Sequence, residues 1–227
     1  MKIIDSYDKL PLGVYLDIVA LVEDTDLEED DRQLSIIALL TGEDEDTLLK
    51  LPILDFRRLA EKARFLEEQV PRPAAVPKVI RLGGIDLVPT TKVTKITTAQ
   101  FVDYQTFAKE GHKRLVEQLS CFLIPSGCEY NEGYDIEDVQ TAIRDNLTVT
   151  QAQGLAAFFF SRWTRLVGSS LIYSALMARR IRPKAKRREM QAQIRQAWEA
   201  FKKNGDGSTA FALSVIPPIR RGTRYGE

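Results

Sequence analysis

One histidine and two cysteines in 227 residues leave little room for the commonest catalytic and metal-binding chemistries. Any Ser–His–Asp or Cys–His pairing would rest on His112, which sits beside Lys113 and Arg114. Cations so close oppose the charging that a general base requires, so a surface histidine is the simpler reading. Zinc hydrolysis on several imidazoles is excluded by number. Cys121 and Cys128 make neither a disulfide framework nor a zinc site. Cys121, set among Leu119, Phe122, Leu123 and Ile124, is expected to be a buried thiol in a reducing cytosol.

Long apolar runs are also missing. Residues 154–160 and 166–178 are apolar, but Arg162 and Arg165 divide them. A membrane-spanning helix needs about 20 uninterrupted apolar residues, so no membrane is expected. Met1-Lys2 is followed by Asp5, Asp8 and Lys9, which is not the pattern of a secretory leader. Glycine clusters are confined to Gly83-Gly84 and Gly205-Asp206-Gly207, and neither has the context of a phosphate loop or dinucleotide fingerprint. With Gly207 as the turn glycine of a calcium loop, positions one and twelve would be Lys202 and Leu213, so calcium is rejected there. The run Glu43-Asp44-Glu45-Asp46 points its carboxylates in different directions on a helix and reads better as a capped, dipole-favoured first turn than as a metal cage. No cofactor and no catalytic residues are expected.

Net charge is likewise absent, with 32 acidic and 32 basic residues, but this balance hides a gradient. Residues 1–68 carry 18 acidic and 8 basic side chains, residues 69–160 carry 10 and 9, and residues 161–227 carry 4 and 15. Such asymmetry suggests a charged partner or head-to-tail contact between copies, and says nothing of fold.

The periodicity predicts a mainly α chain with helical groups, one small β-hairpin, and an extended basic C-terminal helix and tail. Four segments follow: an acidic helical region over 1–69, a proline-rich linker and hairpin over 70–96, a central helical region over 97–182, and a basic helix with an irregular tail over 183–227. In the first, Pro11 opens a helix with Leu12, Tyr15, Leu16 and Val19 on one face. A second helix ends at Gly42, a third spans Glu43 to Leu51, and a fourth follows Pro52. The acidic stretch Glu23 to Asp31 is a solvated connector or the first turn of the second helix. The run Val79–Leu82, Gly83-Gly84, Ile85–Val88 is a hairpin signal, because glycine accepts the positive φ of tight turns. Pro89 should end the second strand or hold it at an edge. Helical spacing resumes after Thr98 and runs to Phe122, with Gly111 as a weak point. Asp135 or Asn131 could cap the next helix, and Thr148 a long one reaching about Ile181, before Pro183.

Two groups of side chains are candidates for partner binding. Arg179, Arg180, Arg182, Lys184, Lys186, Arg187, Arg188 and Arg195 concentrate positive charge. They could meet the acidic third of a neighbouring copy, neutralise nucleic-acid phosphates in a salt-dependent way, or simply be solvated. Trp198 and Phe201, spaced with Ile194 and Ala197, fit an apolar helix stripe better than a base-stacking platform. The second group is Phe158, Phe159 and Phe160, ordinarily core, although a protein that binds apolar clients would expose part of such a surface.

Several segments, taken in order, resemble phage tail-assembly chaperones related to the baseplate-hub assembly proteins of contractile-tailed phages. They are Leu12-Gly13-Val14-Tyr15-Leu16, Ile36-Ile37-Ala38-Leu39-Leu40-Thr41-Gly42, Leu51-Pro52-Ile53, the helix ending Phe65-Leu66-Glu67, the Val79–Val88 hairpin, and Thr98-Ala99-Gln100-Phe101-Val102-Asp103-Tyr104-Gln105. Pro125-Ser126-Gly127 with Tyr130 and the Phe158–Phe160 cluster complete the likeness, which covers about residues 10–165. The resemblance implies a non-enzymatic role in virion morphogenesis, in the cytoplasm of an infected bacterium or in the virion. The implied partner is a tail component such as a tape measure protein, and the family pattern supplies no catalytic residues. A virion subunit (ring, connector or internal protein) and a nucleic-acid-binding protein are the alternatives.

Overall fold

The computed structural model describes residues 1–71, 75–92 and 95–159, together with Ala192 and Arg195. The chain is mainly helical with one small antiparallel sheet. Seven helices are bounded: α1 (Leu12–Glu23), α2 (Glu29–Thr41), α3 (Glu45–Leu49), α4 (Ile53–Lys62), α5 (Thr98–Ala108), α6 (Leu115–Ser120) and α7 (Ile136–Asn146). An eighth, α8, opens at 149 and is described to 159. Strands β1 (Ile80–Leu82), β2 (Ile85–Pro89) and β3 (Leu123–Pro125) lie in the order β1-β2-β3.

Two antiparallel bonds fix where the helices start. The Leu12 amide donates to the Leu147 carbonyl at 2.8 Å, and the Val149 amide donates to the Leu10 carbonyl at 2.9 Å. The chain entering α1 thus lies alongside the chain entering α8, bridged at Pro11 and Thr148. Thr148 caps α8 as its sequence position suggests: the Gln151 amide donates to Thr148 Oγ1, and Gln151 Oε1 accepts from the Thr148 amide. Helix α1 buries Leu12, Gly13, Tyr15, Ile18 and Val19 and packs on both α2 and α7. At α7 the backbones nearly touch. A Cβ on Gly13 would come within 2.9 Å of the Arg144 carbonyl oxygen, so only glycine fits.

The acidic stretch serves both suggested purposes. Glu29, Asp30 and Asp31 form the first turn of α2, where carboxylates favour the dipole, and 24–28 connect. Gly42, in the left-handed conformation at φ 73°, ends α2. Helix α3 is shorter than the predicted Glu43–Leu51. Asp44 caps it by accepting from the Thr47 amide, and Pro52 lies beyond its end. Helix α4 tightens into a 3-10 turn over Ala63–Glu67, tied down by Tyr7, whose hydroxyl donates to the Leu66 carbonyl at 2.8 Å.

Two expectations need correction. The hairpin turns through Gly83 and Gly84, both at positive φ, but a third strand joins it. Pro89 ends the second strand, the first of its two expected roles, and that strand is central rather than an edge. Ladder alternation turns its nitrogen to the β1 side, where β1 has already stopped at Ile80, so the missing donor costs nothing. Nor does the helical period run through to Phe122. Helix α5 stops at Ala108; Gly111, at φ 65°, starts a 3-10 turn; and α6 ends at Ser120 before the chain enters β3. Buried Gln118 explains the break, since its Nε2 donates to the freed Gly111 carbonyl.

One core runs from Ile3 to Phe159 and draws on every helix except α4's exposed start. At its centre Phe122 lies between Tyr104, at 5.2 Å, and Phe159, stacked at 4.6 Å. Burial of each such side chain is worth about 1.5–3 kcal/mol. Gln100 ties this layer together. Its backbone and Oε1 complete a capping box with Thr97, while Nε2 donates to the Cys121 carbonyl at 2.8 Å. The long extension of α8 to Ile181, the Pro183 break, the final basic helix apart from Ala192 and Arg195, and the tail lie outside the described residues.

Candidate protein-binding surface

A groove of about 680 Å³ opens between α1 and α2. Its floor is apolar: Ala20 and Leu21 come from α1, Ala38 and Leu39 from α2. The rim is acidic, with Asp17, Asp24, Glu43 and Glu45 and no cation in the lining. Asp17 is ion-paired, 2.6 Å from Arg144 on α7. Asp24 Oδ1 accepts from the Asp26 amide, and Glu45 from the Ser35 hydroxyl.

One cation holds the adjoining connector in place. Arg32 Nε donates to the Leu21 carbonyl, Nη2 to the carbonyls of Asp24 and Leu27 at 2.8 Å each, and Nη1 to Glu29 at 3.0 Å. A single guanidinium therefore satisfies three carbonyls around the end of α1 and carries charge into the most acidic stretch of the chain. The sequence reading missed Arg32; its only signal was being the sole cation within the run from Glu23 to Asp46.

Beyond the groove, the turn from α3 to α4 exposes an apolar outcrop. Leu48 is buried, but Leu49, Ile53 and Leu54 are 69%, 64% and 65% exposed. Helix α3 has only five residues and one buried position, and Pro52 then sets α4 off in an extended approach. Leu49, Ile53 and Leu54, on either side of that corner, are covered by no other element among the described residues. Leu48-Leu49-Lys50-Leu51-Pro52-Ile53-Leu54 was the signal available: five aliphatics in seven residues are more than one short helix face can bury.

The titratable groups do not converge. Burial pushes the Cys121 thiol up to about 12, far from the thiolate range of a nucleophile. Its neighbour Tyr130 donates to Asp103 at 2.9 Å and is raised by burial, as are Tyr7, Tyr15 and Tyr104. His112 Nε2 lies 3.0 Å from Glu23 without hydrogen-bond geometry, and Lys113 is 3.4 Å from the same carboxylate. Within the Glu43–Asp46 run, the backbone amide of Thr47 holds the Asp44 carboxyl below its usual range, which is the signature of a cap. Among the described residues no three His, Cys, Asp or Glu side chains are grouped to hold a metal, and no helix is long and apolar enough to cross a membrane.

Of the aromatic candidates, Phe159 is in the core against Phe122, Phe158 is half-buried at 5.4 Å from Phe159, and Phe160 lies outside the described residues. Phe159 is therefore packing rather than a free binding surface. Among the basic candidates, Arg195 is a helical, exposed residue, whereas Arg179, Arg180, Arg182, Lys184, Lys186, Arg187 and Arg188 lie outside the described residues. The same holds for Trp198, Phe201 and the 202–208 turn. No family profile matches the chain, and no curated protein or solved structure is significantly similar to it.

Proposed function

We infer that this chain is a non-enzymatic phage morphogenesis protein, a tail-assembly chaperone that masks an aggregation-prone helical segment of a tail component such as the tape measure protein. The ordered sequence resemblance supplies the biological setting. The observation that carries the mechanism is the outcrop of Leu49, Ile53 and Leu54, three large aliphatic side chains held in water by a corner of the fold. Keeping them there forgoes roughly 1.5–3 kcal/mol for each side chain that could have been buried. A partner's apolar helix face recovers that free energy on binding, and surfaces of this kind mark protein contact. The reading needs no bond made or broken.

Co-expression tests it. Tape measure polypeptide from the same phage should move from the insoluble to the soluble fraction when this chain is present, and should co-purify with it. An unchanged insoluble fraction, with this chain instead retained in purified virions, would replace the chaperone by a structural virion subunit.

A further inference from the structure

We propose that the α1–α2 groove is a self-association site that receives the basic segment 184–203 of a second copy. This goes beyond client binding and requires no client. The groove and the segment match in two independent respects. The acidic rim of Asp24, Glu43 and Glu45 has no ion-pair partner among the described residues, and the segment carries seven Lys/Arg against two Glu. The apolar lining of Ala20, Leu21, Ala38 and Leu39 matches Ile194, Ala197, Trp198 and Phe201, spaced i, i+3, i+4, i+7 as one helix stripe. An amphipathic helix laid into a groove buries such a stripe while its flanks meet the rim.

The separation of the two signs towards opposite ends of the sequence points to a second copy. Helices α1 and α8 leave the antiparallel Pro11–Thr148 bridge in opposite chain directions, and the groove lies along the C-terminal half of α1. Repeated head to tail, this contact joins the acidic part of one copy to the basic part of the next, which accounts for a gradient that cancels over the whole chain.

The experiment uses the purified full-length chain and two charge-reversed versions, Glu43→Lys with Glu45→Lys, and Arg187→Glu with Arg188→Glu. Native mass spectrometry at low ionic strength should show oligomers of the wild type that dissociate in about 0.5 M salt, where the screening length is only a few ångström. Each reversed version alone should associate at least about tenfold more weakly, because one replaces two rim carboxylates by cations and the other cuts the segment's excess of cations from five to one. Mixed in equal amounts, the two should associate again, since the intact basic segment of one can enter the intact acidic groove of the other. Thermal melts within a few degrees of wild type certify that both versions fold. A wild type that stays monomeric at low salt, or a mixture that fails to associate, overturns the proposal. Unchanged client solubility would overturn the chaperone and leave this contact intact.

Discussion

Helix α1 packs on α2 and α7 and meets them in different ways. Against α7 it is closed. Gly13 lets the backbones touch at Arg144, and the Asp17–Arg144 ion pair spans the seam one turn further on. Against α2 it also packs, but an acid-rimmed groove lined by Ala20, Leu21, Ala38 and Leu39 opens beside its C-terminal half. The closed side is where a change in volume has nowhere to go, so it carries stability. The groove residues are only partly covered, so a change of volume there should cost little, as expected of a surface kept for contact. One helix thus separates the two demands by face.

The largest effect should come from removing what both faces share. Ile18→Ala, at a position with no exposure on α1, should cost about 2–5 kcal/mol in urea unfolding, because the cavity lies beneath both interfaces. Gly13→Ala breaks only the closed face and should cost about 1–3 kcal/mol through overpacking, most of it appearing as faster unfolding. A neutral Gly13→Ala would mean the α1–α7 seam is looser than described. Arg32→Ala frees three carbonyls beside the open face and should cost about 1–2 kcal/mol, with faster amide exchange confined to residues 21–28. Smallest of all is Asp17→Asn, because its ion pair is half exposed and such pairs are worth under about 1 kcal/mol. Ala38→Leu sharpens the contrast from the other side: stability should hold while the groove, now filled, no longer associates.

The regions also differ in their response to pH. Cys121, under α5 and α6, is raised to about 12 in the folded chain against an ordinary thiol pKa near 8.5. The folded state holds that proton where the unfolded state has lost it, so the stabilisation is complete below about pH 8.5 and drains away as pH rises towards 12. Cys121→Ala should flatten this alkaline loss. In the native chain at pH 8, half-exposed Cys128 should react with a thiol reagent and Cys121 should not. At the acidic groove end the sign is opposite. Asp44 is depressed by the Thr47 amide, so its cap is present above about pH 4 and is lost as pH falls through the lowered value.

Local chemistry was readable wherever one residue decides the outcome. Gly42 at a left-handed helix end, Gly83-Gly84 in a hairpin, and Asp44, Asp135 and Thr148 as caps act through their own backbone or one short hydrogen bond. The third strand was not readable. Leu123-Ile124-Pro125 is too short to show an alternation and becomes a strand only because β2 lies beside it. Gly13 looked like an ordinary helix residue, since its role depends on Arg144, 131 positions away. The groove was hidden for the same reason. Small and apolar residues on two separate helices mean nothing until the fold brings them to one groove. The outcrop was half legible: its excess of aliphatics stood in the sequence, but which of them would lack a neighbour depended on the corner at Pro52.

The claim that this protein works through the surfaces it leaves open is tested most directly at that corner. The measurement is the soluble fraction of co-expressed tape measure polypeptide with the wild-type chain and with a version carrying Leu49→Gln, Ile53→Gln and Leu54→Gln. Those side chains are already in water, so the variant should melt within a few degrees of wild type and yet leave the client insoluble. A variant that folds and keeps the client as soluble as the wild type does would contradict the account.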